Sequence, residues 1–172
     1  MALTPEIRSK LVHLLNTGTI ENPVWSFINE GVTELTENFN ADTNTLQYVG
    51  EEQSTTYTRK YAPNISLSAV VVSGDPVNEW IQTQINTLPV GSAANTQYIR
   101  FNILDKVEGQ DNEYKAYMRG ATIAVDSIGG AAGEEIGMSL TLNGTGSQVE
   151  GIVTITKDST SGAVTYTFTA NS

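Results

Sequence analysis

Apolar positions along this chain follow two periods. From Asn64 onward, Ile65, Leu67, Ala69 and Val71 alternate with Ser66, Ser68, Val70 and Val72, which predicts a strand with one apolar and one mixed face. Ser73-Gly74 ends that run. Asp75-Pro76 then opens a helix, with an Asp N-cap, Pro at the first helical position, and Val77, Trp80, Ile81, Ile85 and Leu88 on one stripe until Pro89 and Gly91. A large Trp on such a stripe reads as core. Helical spacing also appears after Thr4-Pro5, where Ile7, Leu11, Leu14 and Leu15 recur until Thr17-Gly18, so residues 1–18 read as a short amphipathic N-terminal helix or arm. Val24 to Ile28 has strand character, Asn29-Glu30-Gly31 that of a turn, and Val32 to Leu35 that of a returning strand, which predicts a hairpin.

After Ala93 the pattern is an antiparallel meander, with strands near residues 97–106, 113–128, 135–143, 148–157 and 163–169. The separators carry turn chemistry: Glu108 to Asn112, Gly129 to Gly133, Asn143-Gly144-Thr145-Gly146 and Asp158 to Gly162. Residues 36–63 differ from everything around them. They are polar, rich in Asn, Thr and Glu, with isolated apolar residues at Phe39, Leu46, Tyr48 and Tyr57. A loop of that length is uncommon in a compact domain unless it is functional or disordered, and its aromatic residues favour docking on a partner chain over a mobile insertion with one short strand near Thr45 to Val49. The fold class is therefore mainly β: a β-sandwich or barrel with one flanking α-helix, a short N-terminal helix and a long inter-strand loop, in one domain of 172 residues.

Composition narrows the function. No segment is long and apolar enough to span a bilayer, and Arg8, Lys10 and His13 interrupt the early apolar stretch where a secretory leader would need continuity. A protein made in the cytoplasm is expected. Cysteine is absent, which removes disulfides, thiolate metal sites and Cys nucleophiles together. Nineteen Asp and Glu against nine Lys and Arg give a formal charge of −10, the wrong sign for gripping a phosphate backbone. Between Lys10 and Arg59 there is no cation, while Glu21, Glu30, Glu34, Glu37, Asp42, Glu51 and Glu52 all fall there.

Catalytic chemistry finds no constellation. A single histidine, His13, lies on the expected peripheral helix, and the pairs Glu51-Glu52 and Glu134-Glu135 lack the apolar surroundings that raise one carboxyl for acid catalysis. Asn40, Asp42, Asn44 and Glu51 partly imitate a calcium loop, but Thr45 stands at the glycine position and no helices flank it. The Gly129 to Gly133 run lacks dinucleotide-binding spacing and precedes a strand. Asn64-Ile65-Ser66 and Asn143-Gly144-Thr145 match glycosylation sequons by chance in a chain without a leader. No enzyme, metal or cofactor is expected. Arg59-Lys60 reads either as a solvated pair or as a partner for carboxylates on a neighbouring subunit. An alternative class is a monomeric β-sandwich binding module that stacks carbohydrate on Trp25, Tyr48 or Tyr57.

The order of several short segments resembles the major tail proteins of phages with long non-contractile tails (siphophages). The segments are Trp25-Ser26-Phe27-Ile28-Asn29-Glu30-Gly31-Val32, Gln47-Tyr48-Val49-Gly50-Glu51-Glu52, Tyr61-Ala62-Pro63-Asn64-Ile65-Ser66-Leu67, Ser73-Gly74-Asp75-Pro76-Val77, Tyr114-Lys115-Ala116-Tyr117-Met118 and Leu142-Asn143-Gly144. The resemblance implies two packed antiparallel sheets, self-assembly into stacked hexameric rings, and a hollow virion tail tube through which DNA passes without tight binding. It also implies tape measure, tail terminator and distal tail or baseplate proteins as partners, and assembly in the host cytoplasm. It assigns Asn38, Phe39, Asp42, Tyr48, Glu51, Glu52, Tyr57, Arg59 and Lys60 to inter-ring contact, and places Glu34, Asp126, Glu134 and Glu135 near the lumen. A tail terminator or a contractile-type inner tube subunit would share the fold.

Overall fold

The computed structural model describes residues 6–171. A 3-10 turn at Arg8–Lys10 leads into β1 (Leu11–Asn16), followed by β2 (Trp25–Phe27), β3 (Val32–Asn38), β4 (Ala41–Leu46), β5 (Thr55–Tyr61) and β6 (Asn64–Val70). The helix α1 (Pro76–Thr87) and a 3-10 turn at Gly91–Ala94 precede β7 (Asn95–Lys106), β8 (Glu113–Gly129), β9 (Gly137–Lys157) and β10 (Val164–Ala170). The main sheet runs β2-β1-β7-β8-β9-β6-β3 with β10 also on β9, and β4-β5 form a separate ribbon. All pairings are antiparallel.

The sheet folds over itself because β8 and β9 change the face they bury. On β8, Tyr114, Ala116 and Met118 point into one apolar cluster, and Ala121, Ile123 and Val125, of opposite parity, point into another. On β9, Met138, Leu140 and Leu142 join the second of these, and Val153 and Ile155 the first. Side chains alternate across a strand, so each long strand passes from one layer to the other near its middle. Two packed antiparallel layers result, without closing into a barrel. One holds β3, β6, the start of β9 and the end of β8; the other holds β2, β1, β7, β10 and the remaining halves. Leu15 and Tyr98 face the cluster of Ile123 and Leu140 between the layers, while Val12, Leu14, Ile99 and Phe101 face that of Ala116 and Val153, so β1 and β7 are buried on both sides.

That double burial explains the first departure from expectation. The N-terminal helix shrinks to the turn at Arg8–Lys10, residues 1–5 lie outside the described residues, and Leu11–Asn16 is strand. A strand apolar on both faces reads as a continuous run, Leu-Val-His-Leu-Leu, and its period does not separate it from a helix turn. The expected 24–35 hairpin does not form either: β2 pairs with β1 and β3 with β6, at opposite ends of the sheet order. Gly31 supplies the crossing, with φ of 73° and no room for a Cβ beside the Val70 carbonyl. The turn expected at Asn143 to Gly146 is a bulge inside β9, where pairing jumps from Gly120↔Thr145 to Met118↔Val149 and Gly146 takes φ of 66°.

The helix begins where the sequence predicts. Asp75 accepts a hydrogen bond from the Asn78 amide at 2.8 Å, and Leu88 ends the helix in the left-handed region with its N–H donating to the Gln84 carbonyl at 2.8 Å. Val77 and Ile81 are buried against the inter-layer cluster, with Trp80 and Ile85 partly so. Buried Asn78 fastens the helix to the end of β6, donating to the Val70 carbonyl at 2.8 Å and accepting from the Val72 amide at 3.0 Å. Among the described residues no helix is long and apolar enough to cross a membrane. Asp75→Ala is expected to cost about 1 kcal/mol. Asn78→Ala strips partners from two backbone groups and is expected to cost about 2–4 kcal/mol, both read from urea unfolding midpoints.

Candidate assembly surfaces

The region expected to be a long loop is a β-ribbon arm. The last β3–β6 pair is Asn38↔Asn64 and the first β4–β5 pair is Ala41↔Tyr61, so the hairpin continues outward after a joint at residues 39–40 and 62–63. Asn40, at φ of 45°, donates from Nδ2 to the Ala62 carbonyl at 2.9 Å and fixes the bend. The sequence hid these strands because β5 is exposed throughout and shows no apolar alternation. Asn38 donates to Asn64 Oδ1 at 3.2 Å at the base. Further out, Asp42 lies 4.0 Å from Lys60, and Asn44 donates to the Tyr57 hydroxyl at 2.9 Å. Glu51 accepts from the Tyr48 amide at 3.4 Å in the tip turn, with Glu52 beside it. Arg59 makes no ion pair among the described residues. Tyr48 and Val49 crown the tip, 65% and 109% exposed. Trp25 packs on a core cluster at the opposite edge of the main sheet, so the three aromatics of the carbohydrate reading are not brought together.

A buried polar cluster anchors the arm's root and was not recognised from the sequence. Glu37 shares the core-facing parity of Leu35, and its carboxylate reaches across to the other layer. It accepts from the Tyr98 hydroxyl at 3.0 Å and from Arg100 Nη1 at 2.9 Å, and lies 3.8 Å from His13 Nε2, beyond hydrogen-bond reach. His13 and Arg100 are cross-strand neighbours. The Arg100 guanidinium also sits over the rings of Phe39, at 5.3 Å, and Tyr117, at 5.6 Å. Phe39 is the first residue beyond β3, so the arm's joint rests on a guanidinium held by the core. The legible signal was Glu37 itself, an acid at an inward position.

Burial and the neighbouring groups together set these protonation states. Burial lowers the His13 pKa below its ordinary 6.5, and the Arg8 and Arg100 charges push the same way against the pull of Glu37. Burial alone raises Glu37, but His13, Arg100 and the Tyr98 hydroxyl outweigh it and hold the carboxyl below its ordinary 4.5. Tyr98 is raised by burial and by the Glu37 charge.

The outward face of the β3-β6-β9-β8 layer is a second surface. Cross-strand neighbours there are Glu34 and Ser68, Thr36 and Ser66, Ser66 and Thr141, Ser68 and Ser139, then Ala124 with Thr141 and Ser127 with Ser139. Asp126, at a β8 bulge, accepts from the Thr141 hydroxyl at 2.9 Å. The wall is mostly hydroxyls, with two carboxylates. No Lys or Arg occurs from Gly120 to Thr156 or from Tyr61 to Ile99. Glu34 and Asp126 thus share one face, while Glu134 and Glu135 sit in the loop between β8 and β9. Among the described residues both lateral edges are open for pairing: β3 bonds only to β6, and the β7 ladder on β8 stops at Thr122.

No protein-family model matches the sequence, and no curated protein matches it. Solved structures do share its fold. The SPP1 tail tube aligns with a TM-score of 0.63 at 10% identity, over 85% of this chain and 78% of that one. The tail of an empty gene transfer agent particle aligns at 0.56 with 13% identity, covering 84% and 97%. The tube terminating cap of the anti-feeding prophage aligns at 0.53 with 16% identity, covering 90% and 94%. The chain has a tail-tube-like fold, common to phage, gene transfer agent and contractile injection-system proteins.

The root cluster predicts acid sensitivity. Below 6.5 the unfolded chain protonates His13 while the folded chain resists, so stability declines as pH falls; the Glu37 contribution, present above 4.5, is lost further down as pH passes its lowered folded value. Between about pH 7 and about pH 5 unfolding free energy is expected to drop with a slope of up to ~1.4 kcal/mol per unit from His13. His13→Gln should flatten that segment in urea titrations, and an unchanged slope would place the sensitivity elsewhere.

Proposed function

We propose that this chain is a structural tail-tube subunit whose copies close into six-membered rings that stack into a hollow tube for DNA passage in a virion tail. The observation that carries this reading is the cation-free layer of hydroxyls and carboxylates with both lateral edges open. An open β3 edge on one copy and an open end of β8 on the next are different surfaces, so their pairing is head-to-tail and closes by rotation. Pairing would remove the exposed edges that otherwise invite aggregation. Six-fold symmetry is the symmetry of the gene transfer agent tail that shares the fold.

Lined this way, the lumen presents Glu34 and Asp126 to passing phosphates with Ser and Thr between them. Carboxylates repel the duplex, and the absence of Lys and Arg leaves no point where counterion release holds it. The arm supplies the contact between rings, with Tyr48 and Val49 as the apolar tip that a free subunit leaves in water. Further copies of the chain are the principal partners; tape measure, tail terminator and distal tail or baseplate proteins complete the set. No step in this function makes or breaks a covalent bond.

Purified protein examined by negative-stain electron microscopy with light scattering is expected to form long hollow tubes with a regular ring repeat. Replacing residues 41–61 with a short Asn-Gly turn between β3 and β6 should leave the unfolding transition within about 1 kcal/mol and abolish tubes. Tubes of normal length from that variant would remove the arm from stacking, and single rings from the intact chain would favour a terminator. Glu34→Lys with Asp126→Lys should still give tubes but slow genome delivery by assembled particles at least about tenfold, with relief at high salt. Unchanged delivery would take the β3-β6-β9-β8 face off the lumen.

A further inference from the structure

We propose that the Glu134-Glu135 loop of one copy receives the Arg59-Lys60 pair at the arm root of the copy stacked on it, a proposal that rests on the tube reading. Geometry supplies the first argument. The β6–β9 register runs from Asn64↔Asn143, where the arm leaves, to Val70↔Gly137, where the 130–136 loop begins. The arm root and the loop are therefore at opposite ends of one layer, about 20 Å apart along the strands. When copies stack head to tail along the strand direction of that layer, the root of one abuts the loop of the next, while the arm tip continues past it.

Charge supplies the second. Seven of the nine Lys and Arg lie at Arg8, Lys10, Arg100, Lys106, Lys115, Arg119 and Lys157, in the 3-10 turn at Arg8–Lys10, β7, the first half of β8 and the last residue of β9. Arg59 and Lys60 alone remain, adjacent and exposed on the arm. Glu134 and Glu135 are exposed at the far end and make no ion pair among the described residues. Lys60 is only loosely engaged by Asp42, at 4.0 Å with both side chains open to water.

The two ends also match in apolar surface. Ile128 and Ile136 flank the acidic loop, 52% and 53% exposed, and Tyr61 and Phe39 flank the cations at 62% and 44%. Exposed apolar side chains beside complementary charges at both ends suit a protein interface better than a solvated loop. The acids lie outside the Ser and Thr face, which assigns them to the ring junction instead of the lumen. Each exposed ion pair contributes little alone, but repetition around a ring multiplies the effect and makes it salt-sensitive.

A charge exchange tests this. R59E/K60E and, separately, E134K/E135K are each expected to lower the tube mass recovered by sedimentation at least about tenfold while unfolding transitions stay unchanged. Combining all four changes is expected to restore tubes, which a merely structural effect of either pair does not do. Normal tubes from both single-pair variants, or no restoration in the combined variant, would overturn the proposal while leaving the tube reading standing. Absence of tubes from the unaltered protein at every concentration would instead strike the tube reading itself.

Discussion

The structure depends on one constraint: β8 and β9 must bury opposite faces at their two ends. With side chains alternating, Tyr114, Ala116 and Met118 cannot share a face with Ala121, Ile123 and Val125, and the two sets enter different cores. A flat sheet does not satisfy that. The sheet has to double over, and the extra residues around Gly146 let β9 follow β8 through the bend. Gly120 lies at the same place, where a Cβ would come within 2.9 Å of the Thr145 hydroxyl. Doubling over buries β1 and β7 on both sides and leaves the β3-β6-β9-β8 layer with one bare face and two bare edges. The candidate assembly surfaces are thus what the core's construction leaves uncovered.

Bare edges alone do not orient an arm. That task falls to Glu37, which leaves the edge strand β3 and reaches Tyr98 and Arg100 in the opposite layer. A buried ion pair of this type adds little net stability compared with an apolar pair of the same shape, because desolvation offsets the attraction. Its contribution is positional. Arg100 is held by Glu37 and lies over the rings of Phe39 and Tyr117, so the first residue of the arm's joint rests on a side chain that the core has already placed. A ribbon with no core of its own is only marginally stable, and a defined root lowers the entropy lost when its tip docks.

Legibility in the sequence followed the number of faces each element buries. The β6 strand, buried on one face, and α1, with its Asp75 cap and single apolar stripe, were plain in the pattern. β1 was misread because burial on both faces erases the alternation that distinguishes strand from helix. β4 and β5 were missed for a different reason: β5 is exposed throughout and the half-buried positions of β4 are polar Asp42 and Asn44, so neither shows an apolar alternation. Asn143 to Gly146 has the composition of a turn, yet β9 continues through it as one strand, since a bulge and a hairpin ask for the same residues and only the partner strand decides. Of the four acids expected near the lumen, Glu34 and Asp126 lie on one face, whereas Glu134 and Glu135, close to Asp126 in sequence, lie in the loop at the layer's end. Glu37 went unrecognised because its three partners come from strands far away along the chain.

Charge placement connects the fold to its proposed work. A tube wall and a ring junction set opposite requirements: the wall must not hold phosphate, so it excludes cations, and the junction must hold a partner of net charge −10 against its self-repulsion. A single copy meets both by keeping Lys and Arg off the β3-β6-β9-β8 layer and placing two of them on the arm, which leaves that layer at one end. Had the cations lain on β3 or β6, they would attract the neighbouring ring's acids and the DNA alike. Displaced to the arm root, they can meet carboxylates only beyond the end of the layer, where the next copy stands. The arm therefore separates attraction between subunits from repulsion of the cargo, and the polarity of stacking follows from having the acids at one end and the cations at the other.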